Sequence, residues 1–578
     1  MNDIRRTILW VVFGFSMVLL WDQWQIHNGQ KATFFPTPAK PGAVVSAPAS
    51  ASSVPGSSAP PAGAPPATTT AAPPAIPVAP AGTAAAVVAP ALPRERITVS
   101  SDVLRLSFDT EGGSLVRAEF LMHRDIDDKT RNVVLLDQSP ERVYVAQTGL
   151  IGGPGPESYP THKTVMAVLP GNRTLKDGVN ELEVRFESPE VGGIKLVKTY
   201  KVRRGSYALS VSHEVHNSST AAVSPRLYLQ LKRDGNKPAG ESSFYFTFTG
   251  PAVYTGAKKY QKVEFTDIEK GNVDIEKQST DGYVAMVQHY YASAWILADG
   301  LARENFAQKD TGQANLYAVG SITTLDSIAS GSSKTIEAKF FVGPQQEKIL
   351  ESLSPGLELV KDYGWLTILA KPLYWLLDEL NTLIGNWGWA IVALVVLLKI
   401  AFYWLNAKAY ASMAKMKAIG PKITEMRDRL KDNPQQMQQE MMRVYREEKV
   451  NPMGGCFPIM VQIPVFIALY WVLLSSVEMR NAPWVLWIKD LSTPDPYYIL
   501  PIVMTLTTVL QTALNPAPPD PMQAKLMWFM PLAFSVMFFF FPAGLVLYWI
   551  TNNILSIAQQ WIINTRMGVP PQFNLPKF

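Results

Sequence analysis

The side chain with the clearest potential for chemistry is Lys399, the only charged residue within five long apolar stretches of the C-terminal half. These stretches are Trp387–Leu405, Phe457–Ser476, Tyr497–Leu514, Leu526–Phe541 and Ala543–Ile563. A lysine near the middle of a bilayer costs about 3 kcal/mol on insertion scales, and such residues usually face a bundle interior or a wet cavity. At about 1.5 Å per residue, Lys399 would lie roughly 18 Å into a hydrocarbon core about 30 Å thick. The alternative is that its long side chain extends to the inner headgroups. Lys399 is therefore a candidate site residue with two open interpretations.

Gln462 and Asn552 lie in two other apolar stretches and would share a polar groove with Lys399 that opens towards the cytoplasm. With the same rise per residue, Gln462 is roughly 8 Å from the inner edge of the membrane and Asn552 roughly 12 Å from the outer edge. Taken alone, each is more typical of a polar contact between helices. The other stretches contain no Asp or Glu, so water or an incoming client would have to supply the partner of the lysine.

Several classes of site are disfavoured by the sequence. The membrane part has no phosphate-binding glycine loop, nucleophile elbow or metal-ligand spacing. The sequence therefore predicts that the protein is not an enzyme and has no cofactor. The single cysteine, Cys456, excludes an internal disulfide. His213 and His216 are spaced to lie on opposite faces of a strand, which argues against a zinc site. A net charge of +5 is too mild to indicate direct nucleic-acid readout.

The elements that would position these residues follow from the composition along the chain. Arg5 and Arg6 precede an apolar run without a small-residue cleavage pattern, which favours an uncleaved signal anchor over a cleaved signal peptide. A tract rich in Pro, Ala, Ser and Thr follows, which is typical of an extended linker. Residues then alternate between apolar and polar, with glycine-containing turns, and predict a large antiparallel β-sandwich. We place the anchor at 1–25, the linker at 26–93 and the sandwich at 94–345.

A helical periodicity begins after the sandwich. Leucines recur at three- and four-residue steps over 353–385, while Asp378 and Glu379 make this segment unsuitable for spanning a membrane. The pattern predicts an amphipathic helix that lies on the outer membrane surface. A helix packed on the sandwich is the alternative.

Five membrane spans and one large loop account for the rest of the chain. The loop at 408–453 contains ten Lys or Arg between Lys408 and Lys449, so the positive-inside rule places it in the cytoplasm. Two apolar stripes in it, separated by a break at Pro434, predict a hairpin of two helices. The predicted spans are 386–407, 456–477, 496–514, 525–542 and 543–564.

These elements together define a multi-domain fold: a polytopic α-helical membrane core with six spans in total, plus a large periplasmic antiparallel β-domain. The anchor and the even number of spans put both termini in the cytoplasm, including a short tail at 565–578, and leave residues 26–385 in the periplasm. The predicted location is the bacterial inner membrane.

Seven stretches, in order along the chain, resemble the YidC family of bacterial membrane-protein insertases in its longer form, which has a periplasmic domain. The resemblance covers everything except the Pro/Ala-rich linker. The matching stretches are GYVAMVQHYYASAW at 282–295, DYGW at 362–365, GNWG at 385–388, SMAKM at 412–416, NPMGGCFP at 451–458, DPYYILP at 495–501 and GLVLY at 544–548.

The resemblance implies a periplasmic β-supersandwich, an interfacial helix and a core whose hydrated groove is open to the cytoplasm and to lipid. The single base of that groove, commonly arginine in the family, falls at Lys399 here, and a groove glutamine falls at Gln462. Tyr548 and Trp549 stand where relatives often have paired aromatic residues. Lysine keeps the charge but lacks the two-pronged hydrogen bonding of arginine, so a strict carboxylate clamp is not implied.

The implied function is a chaperone-like insertase that inserts and helps fold inner-membrane proteins, alone or with the Sec translocon. Its partners would be nascent hydrophobic membrane proteins, the lipid bilayer and the ribosome, the last through the hairpin at 408–453. The tail carries only Arg566 and Lys577 as bases, so it does not predict ribosome binding by itself. Two rival hypotheses are a transporter or channel that uses Lys399 as an ion site, and a sugar-binding or sugar-converting sandwich.

Overall fold

The structure is a computed structural model, and it describes most of the chain after the predicted linker. The predicted anchor at 1–25 and all but the last residue of the linker lie outside the described residues. The described residues are 93–126, 128–153, 158–238, 247–310, 312, 314–430, 433–448, 457–515, 521–568 and 573.

Two nine-stranded sheets form the first part of the described chain, and all pairings between their strands are antiparallel. One sheet has the order β1-β2-β3-β4-β5-β10-β17-β16-β13, and the other has the order β12-β11-β14-β15-β18-β9-β8-β7-β6. The predicted antiparallel sandwich is confirmed. The strands are β1 Arg96–Ser100, β2 Leu104–Asp109, β3 Ser114–Arg124, β4 Asn132–Gln138, β5 Val143–Ile151, β6 Ala167–Val168, β7 Glu181–Glu187, β8 Ile194–Arg203, β9 Ala208–Asn217, β10 Arg226–Asp234, β11 Gly250–Thr255, β12 Lys259–Lys262, β13 Gln278–Ser279, β14 Tyr283–Gln288, β15 Tyr291–Leu297, β16 Arg303–Lys309, β17 Leu316–Thr324 and β18 Ser333–Pro344.

Alternation of side chains explains why these segments form a sandwich. In β7, Leu182, Val184 and Phe186 are buried, whereas Glu181 and Glu183 between them are exposed. Successive side chains of a strand point to opposite faces, so this pattern buries one face against the other sheet. The strands β14 and β15 differ, because every residue in them is buried. They are therefore covered on both faces.

Helices form the rest of the described chain, apart from one short helix within the sandwich region. The helices are α1 Phe265–Glu269, α2 Glu347–Leu353, α3 Thr367–Ile384, α4 Trp387–Ala401, α5 Tyr403–Arg429, α6 Pro434–Glu447, α7 Phe457–Ser475, α8 Ile499–Leu514, α9 Pro521–Met537 and α10 Ala543–Arg566.

The segment predicted as one interfacial helix over 353–385 is helical in its second half only. Before α3 the chain makes two 3-10 turns, Leu357–Val360 and Gly364–Leu366. Gly356 interrupts the helix because its φ of +78° is left-handed, and a Cβ there would lie 2.3 Å from the Tyr254 ring. The helix α3 is amphipathic as predicted. It packs against α4 and α7, while Ile368 is 88% exposed on its other side.

The segment predicted as one span over 386–407 bends. The helix α4 ends at Ala401, Phe402 leaves the helical conformation with φ −92° and ψ 9°, and α5 continues with residues of the predicted cytoplasmic loop. On length and apolar composition, none of the described helices alone suffices to cross a membrane. Trp387–Ala401 and Tyr403–Met416 suffice as a pair, with 67° between them.

One helix organises the helical region. The helix α10 packs against α4, α5, α7 and α8, and α9 packs against α8. The shared core is apolar, with Leu394, Leu469, Val472 and Val546 almost fully buried. The side chains that point inward from α4, α7 and α10 are thereby brought to one place.

A polar junction, consisting of Lys361, Tyr374, Glu478, Tyr363 and Glu347, joins the end of the sandwich to the helical region. The Lys361 ammonium has no exposed surface, lies 3.3 Å from the Glu478 carboxylate and 3.6 Å from the centre of the Tyr374 ring. The Tyr374 hydroxyl donates to Glu478 at 2.8 Å, and the Tyr363 hydroxyl donates to Glu347 at 2.8 Å. Burial raises the pKa of Glu347 above its usual value.

The tip of the β14–β15 hairpin is a second contact between the two regions. His289 donates from Nε2 to the carbonyl oxygen of Leu474, in the last turn of α7, at 2.9 Å. The Arg480 guanidinium just after α7 donates to the carbonyl of Arg124 at 2.6 Å and lies over the Tyr290 ring. This hairpin is formed by the stretch 282–295, one of the seven that carry the family resemblance.

Candidate functional site

A cavity of about 30 Å³ lies between α4, α7 and α10. A space of this size admits roughly two water molecules. Most of its wall is apolar, with a few polar side chains among the lining residues. The residues that line it are Val395, Leu398, Lys399, Phe402, Leu405, Asn406, Gln462, Val465, Tyr548 and Asn552.

Lys399 reaches this cavity from the last turn of α4. Its ammonium donates a hydrogen bond to the Ser556 hydroxyl of α10 at 2.6 Å. The Ser556 hydroxyl in turn donates to the backbone carbonyl of Asn552 at 2.7 Å. The lysine side chain therefore turns across the cavity towards α10.

Gln462 and Asn552 connect α7 to α10 on the same cavity. The Gln462 amide donates to the side-chain oxygen of Asn552 at 2.9 Å. The structure thus brings Lys399, Gln462 and Asn552 together from three separate helices. None of the lining residues is acidic, so the ammonium has only neutral acceptors in this cavity.

The two adjacent aromatic candidates lie in different surroundings. Tyr548 lines the cavity and is 4% exposed. Trp549 is not among the lining residues, and its ring packs edge-on to Phe466 at 4.7 Å and against Phe538 at 5.0 Å. Neighbouring residues of a helix point about 100° apart, and here Tyr548 faces the cavity while Trp549 faces Phe466 and Phe538.

Ser556 and Asn406 are two site residues that the sequence reasoning missed. Asn406 is 8% exposed and lines the cavity from α5. Ser556 is 2% exposed and lies one helical turn after Asn552, on the same face of α10 as Tyr548. The four-residue spacing of Tyr548, Asn552 and Ser556 was a usable signal, because such residues stack on one face of a helix.

A second polar row on α10 faces another neighbour. The Asn553 amide donates to the Thr508 hydroxyl of α8 at 2.9 Å, and the Gln560 amide donates to the Leu514 carbonyl at 3.3 Å. These residues serve helix packing, whereas Tyr548 and Asn552 line the cavity and Ser556 accepts a hydrogen bond from Lys399. Among the residues that the structure describes, no group of three or more His, Cys, Asp or Glu could hold a metal ion.

Comparisons with known proteins identify the family. The model of the YidC periplasmic domain matches residues 96–376, and that of the 60Kd inner membrane protein matches residues 379–569. The membrane protein insertase YidC of Cupriavidus metallidurans is 53% identical over 566 residues, covering 98% of each chain. The protein of the same name from Bordetella petrii is 50% identical over 577 residues, with the same coverage.

A solved structure of an active YidC insertase, with its first transmembrane domain resolved, is also similar to this chain. It matches 80% of this chain and 91% of its own at 19% identity, with a TM-score of 0.36. The family models span nearly all of the described residues, and the relatives match over nearly their full length. The chain therefore belongs to the YidC family of membrane protein insertases, which are not enzymes.

Proposed function

We propose that this chain inserts hydrophobic segments of newly made proteins into the inner membrane, and that the cavity between α4, α7 and α10 is part of a hydrated groove for their polar ends. One observation carries this proposal: Lys399, Gln462 and Asn552 converge on a single cavity from three helices. The groove would be open to the cytoplasm and to lipid, with Lys399 as its positive charge.

The physical benefit of such a groove is a lower barrier for polar groups. An unpaired amide or hydroxyl loses several kcal/mol on entering an apolar medium, so a wet, polar path part-way across the bilayer reduces that cost. The apolar segment of the client would leave sideways into lipid. Partitioning of that segment, assisted by the membrane potential on acidic groups of the client, supplies the free energy without ATP.

The proposed topology has six spans, with both termini in the cytoplasm and residues 26–385 in the periplasm. The charge bias of the loop at 408–453 supports it. The hairpin of α5 and α6 has its own small core, in which Ile419 and Ile423 are buried against Val444 and Tyr445. A folded cytoplasmic hairpin is suited to receiving a nascent chain or a ribosome, and the Sec translocon would be a further partner.

Reconstitution with a defined client tests the groove charge. Purified protein in liposomes is given a single-span client with a short acidic segment that must cross. Lys399→Ala should lower the initial insertion rate by about tenfold, the lower range of a hydrogen bond to a charged group. Lys399→Arg should keep the rate within about twofold, because the charge remains at the same place.

Lys525→Ala is the matched control, because Lys525 is exposed and is not among the residues that line the cavity. It should insert the client at the normal rate. Normal insertion by a stable Lys399→Ala protein would refute a role for the charge. Ion flux through liposomes without client would favour the channel hypothesis instead.

A further inference from the structure

Ser556 is the hydrogen-bond acceptor that the structure provides for the Lys399 ammonium. The serine is 2% exposed, and its oxygen lies 2.6 Å from the lysine Nζ. Its own proton is used elsewhere, because the hydroxyl donates to the Asn552 carbonyl four residues earlier at 2.7 Å. A serine oxygen has one proton and two lone pairs, so with its proton committed it presents lone pairs to the ammonium.

Lys399 depends on such an acceptor more than an arginine would. Lysine carries a compact charge on a flexible four-carbon stem, and it readily extends towards headgroups. Two of the three amides that line the cavity, Gln462 and Asn552, are bonded to each other at 2.9 Å. Ser556 is thus the neutral group that fixes the position of the charge.

We infer that Ser556 is a positioning residue that holds the Lys399 ammonium over the cavity, at the depth where a client would meet it. The inference rests on the proposed function of the groove and extends it to a residue on α10. Without the serine oxygen, the lysine keeps its charge, but its ammonium is no longer held in a fixed position. The insertion rate then falls although the groove is still positively charged.

Two substitutions separate the hydroxyl from the helix. Ser556→Ala removes the acceptor and should lower the initial rate of client insertion in liposomes by about three- to tenfold, because polar contacts between membrane helices are worth this much and the loss should not exceed that of Lys399→Ala. Ser556→Thr keeps a hydroxyl that can donate to the same carbonyl and should restore the rate to within about twofold.

A double-mutant cycle with Lys399 distinguishes positioning from a general structural role. If Ser556 acts through Lys399, then Ser556→Ala should add nothing to Lys399→Ala, and the double variant should match the single lysine variant. A structural defect in α10 would instead multiply the two losses. The insertion rate of the double variant, compared with that of Lys399→Ala, therefore separates positioning from a folding defect.

One control variant matches the chemistry of the change. Thr551→Val removes another hydroxyl of α10, which donates to the Leu547 carbonyl four residues earlier at 2.9 Å. Thr551 is not among the residues that line the cavity. This variant should insert the client at nearly the normal rate.

The outcomes are separable. If Lys399→Ala is impaired and Ser556→Ala inserts normally, the positioning role is wrong while the groove charge stands. If the losses of the two single variants multiply in the double variant, Ser556 acts independently of Lys399 and the inference is also wrong. If Lys399→Ala itself inserts normally, the groove charge fails first. Agreement requires the serine loss, its rescue by threonine and the absence of further loss in the double variant.

Discussion

Removal of the Glu478 carboxylate is expected to loosen the polar junction between the sandwich and the helical region. Glu478→Ala leaves the Lys361 ammonium without its charged partner at 3.3 Å, in a place where none of the lysine side chain is exposed. It also removes the acceptor of the Tyr374 hydroxyl. Removal of one partner of a buried ion pair typically lowers the free energy of unfolding by about 3 to 5 kcal/mol.

The structure argues for a value below that range. The Glu478 side chain is 13% exposed, so the pair is not fully desolvated. Lys361 also keeps the Tyr374 ring at 3.6 Å, and such a contact offsets about 1 kcal/mol. We therefore expect a loss of about 2 kcal/mol, which corresponds to a roughly thirtyfold rise in local opening.

Limited proteolysis of the full chain in detergent measures this opening. The bonds to follow are those in the connector between α2 and α3, because their cleavage rate follows the open population when closing is fast. Cleavage there should rise by about thirtyfold in Glu478→Ala. The double variant Glu478→Gln with Lys361→Met should return towards the normal rate, because a buried pair replaced by neutral groups of similar size is often tolerated. An unchanged rate in Glu478→Ala would refute the electrostatic account of the junction.

Two further predictions concern the sandwich and its end. Burial lowers the pKa of His213 to about 3 and that of His289 to about 4, whereas both would take up protons near pH 6.5 when unfolded. The free energy of unfolding should therefore fall as the pH is lowered from about 6.5 to about 4, by up to about 1.4 kcal/mol per pH unit for each histidine. Thermal melts of the full chain at pH 7 and pH 5 measure this effect. An equal Tm at the two pH values would contradict it. Gly356→Ala should destabilise the connector by about 2 kcal/mol or more, since it combines left-handed strain with a Cβ placed 2.3 Å from the Tyr254 ring. We expect faster proteolysis of the connector in this variant than in a Gly205→Ala control, whose Cβ would meet nothing within 4 Å. Equal rates in the two variants would refute the steric argument.

Local periodicity made the large elements predictable. The alternation of Leu182, Val184 and Phe186 marks a strand whichever partner it pairs with, and the leucine spacing marks α3 as amphipathic. The positions where the chain changes direction were harder to predict. The bend at Phe402 is not marked by a proline or glycine, so it depends on how α4 and α5 pack.

The sequence predicted those site residues whose type is energetically unfavourable inside a membrane. A lysine or an amide in an apolar stretch is expensive, and Lys399, Gln462 and Asn552 stood out for that reason. Serine and threonine are common in membrane helices and usually bond their own backbone, so the residue type of Ser556 did not mark it, and only its four-residue spacing from Asn552 did. The choice between Tyr548 and Trp549 required the rotation of α10, which composition does not contain.

The hairpin tip at His289 has a mechanical meaning. The β14–β15 hairpin is buried on both faces, and its tip is bonded to the last turn of α7 at 2.9 Å. A displacement of the sandwich would therefore move the end of α7 that contains Leu474. Gln462 lies near the other end of this helix, and Pro464 stands between the two residues, where helices kink. Movement of the sandwich is thus expected to change the bend of α7 and not to shift Gln462 as part of a rigid helix.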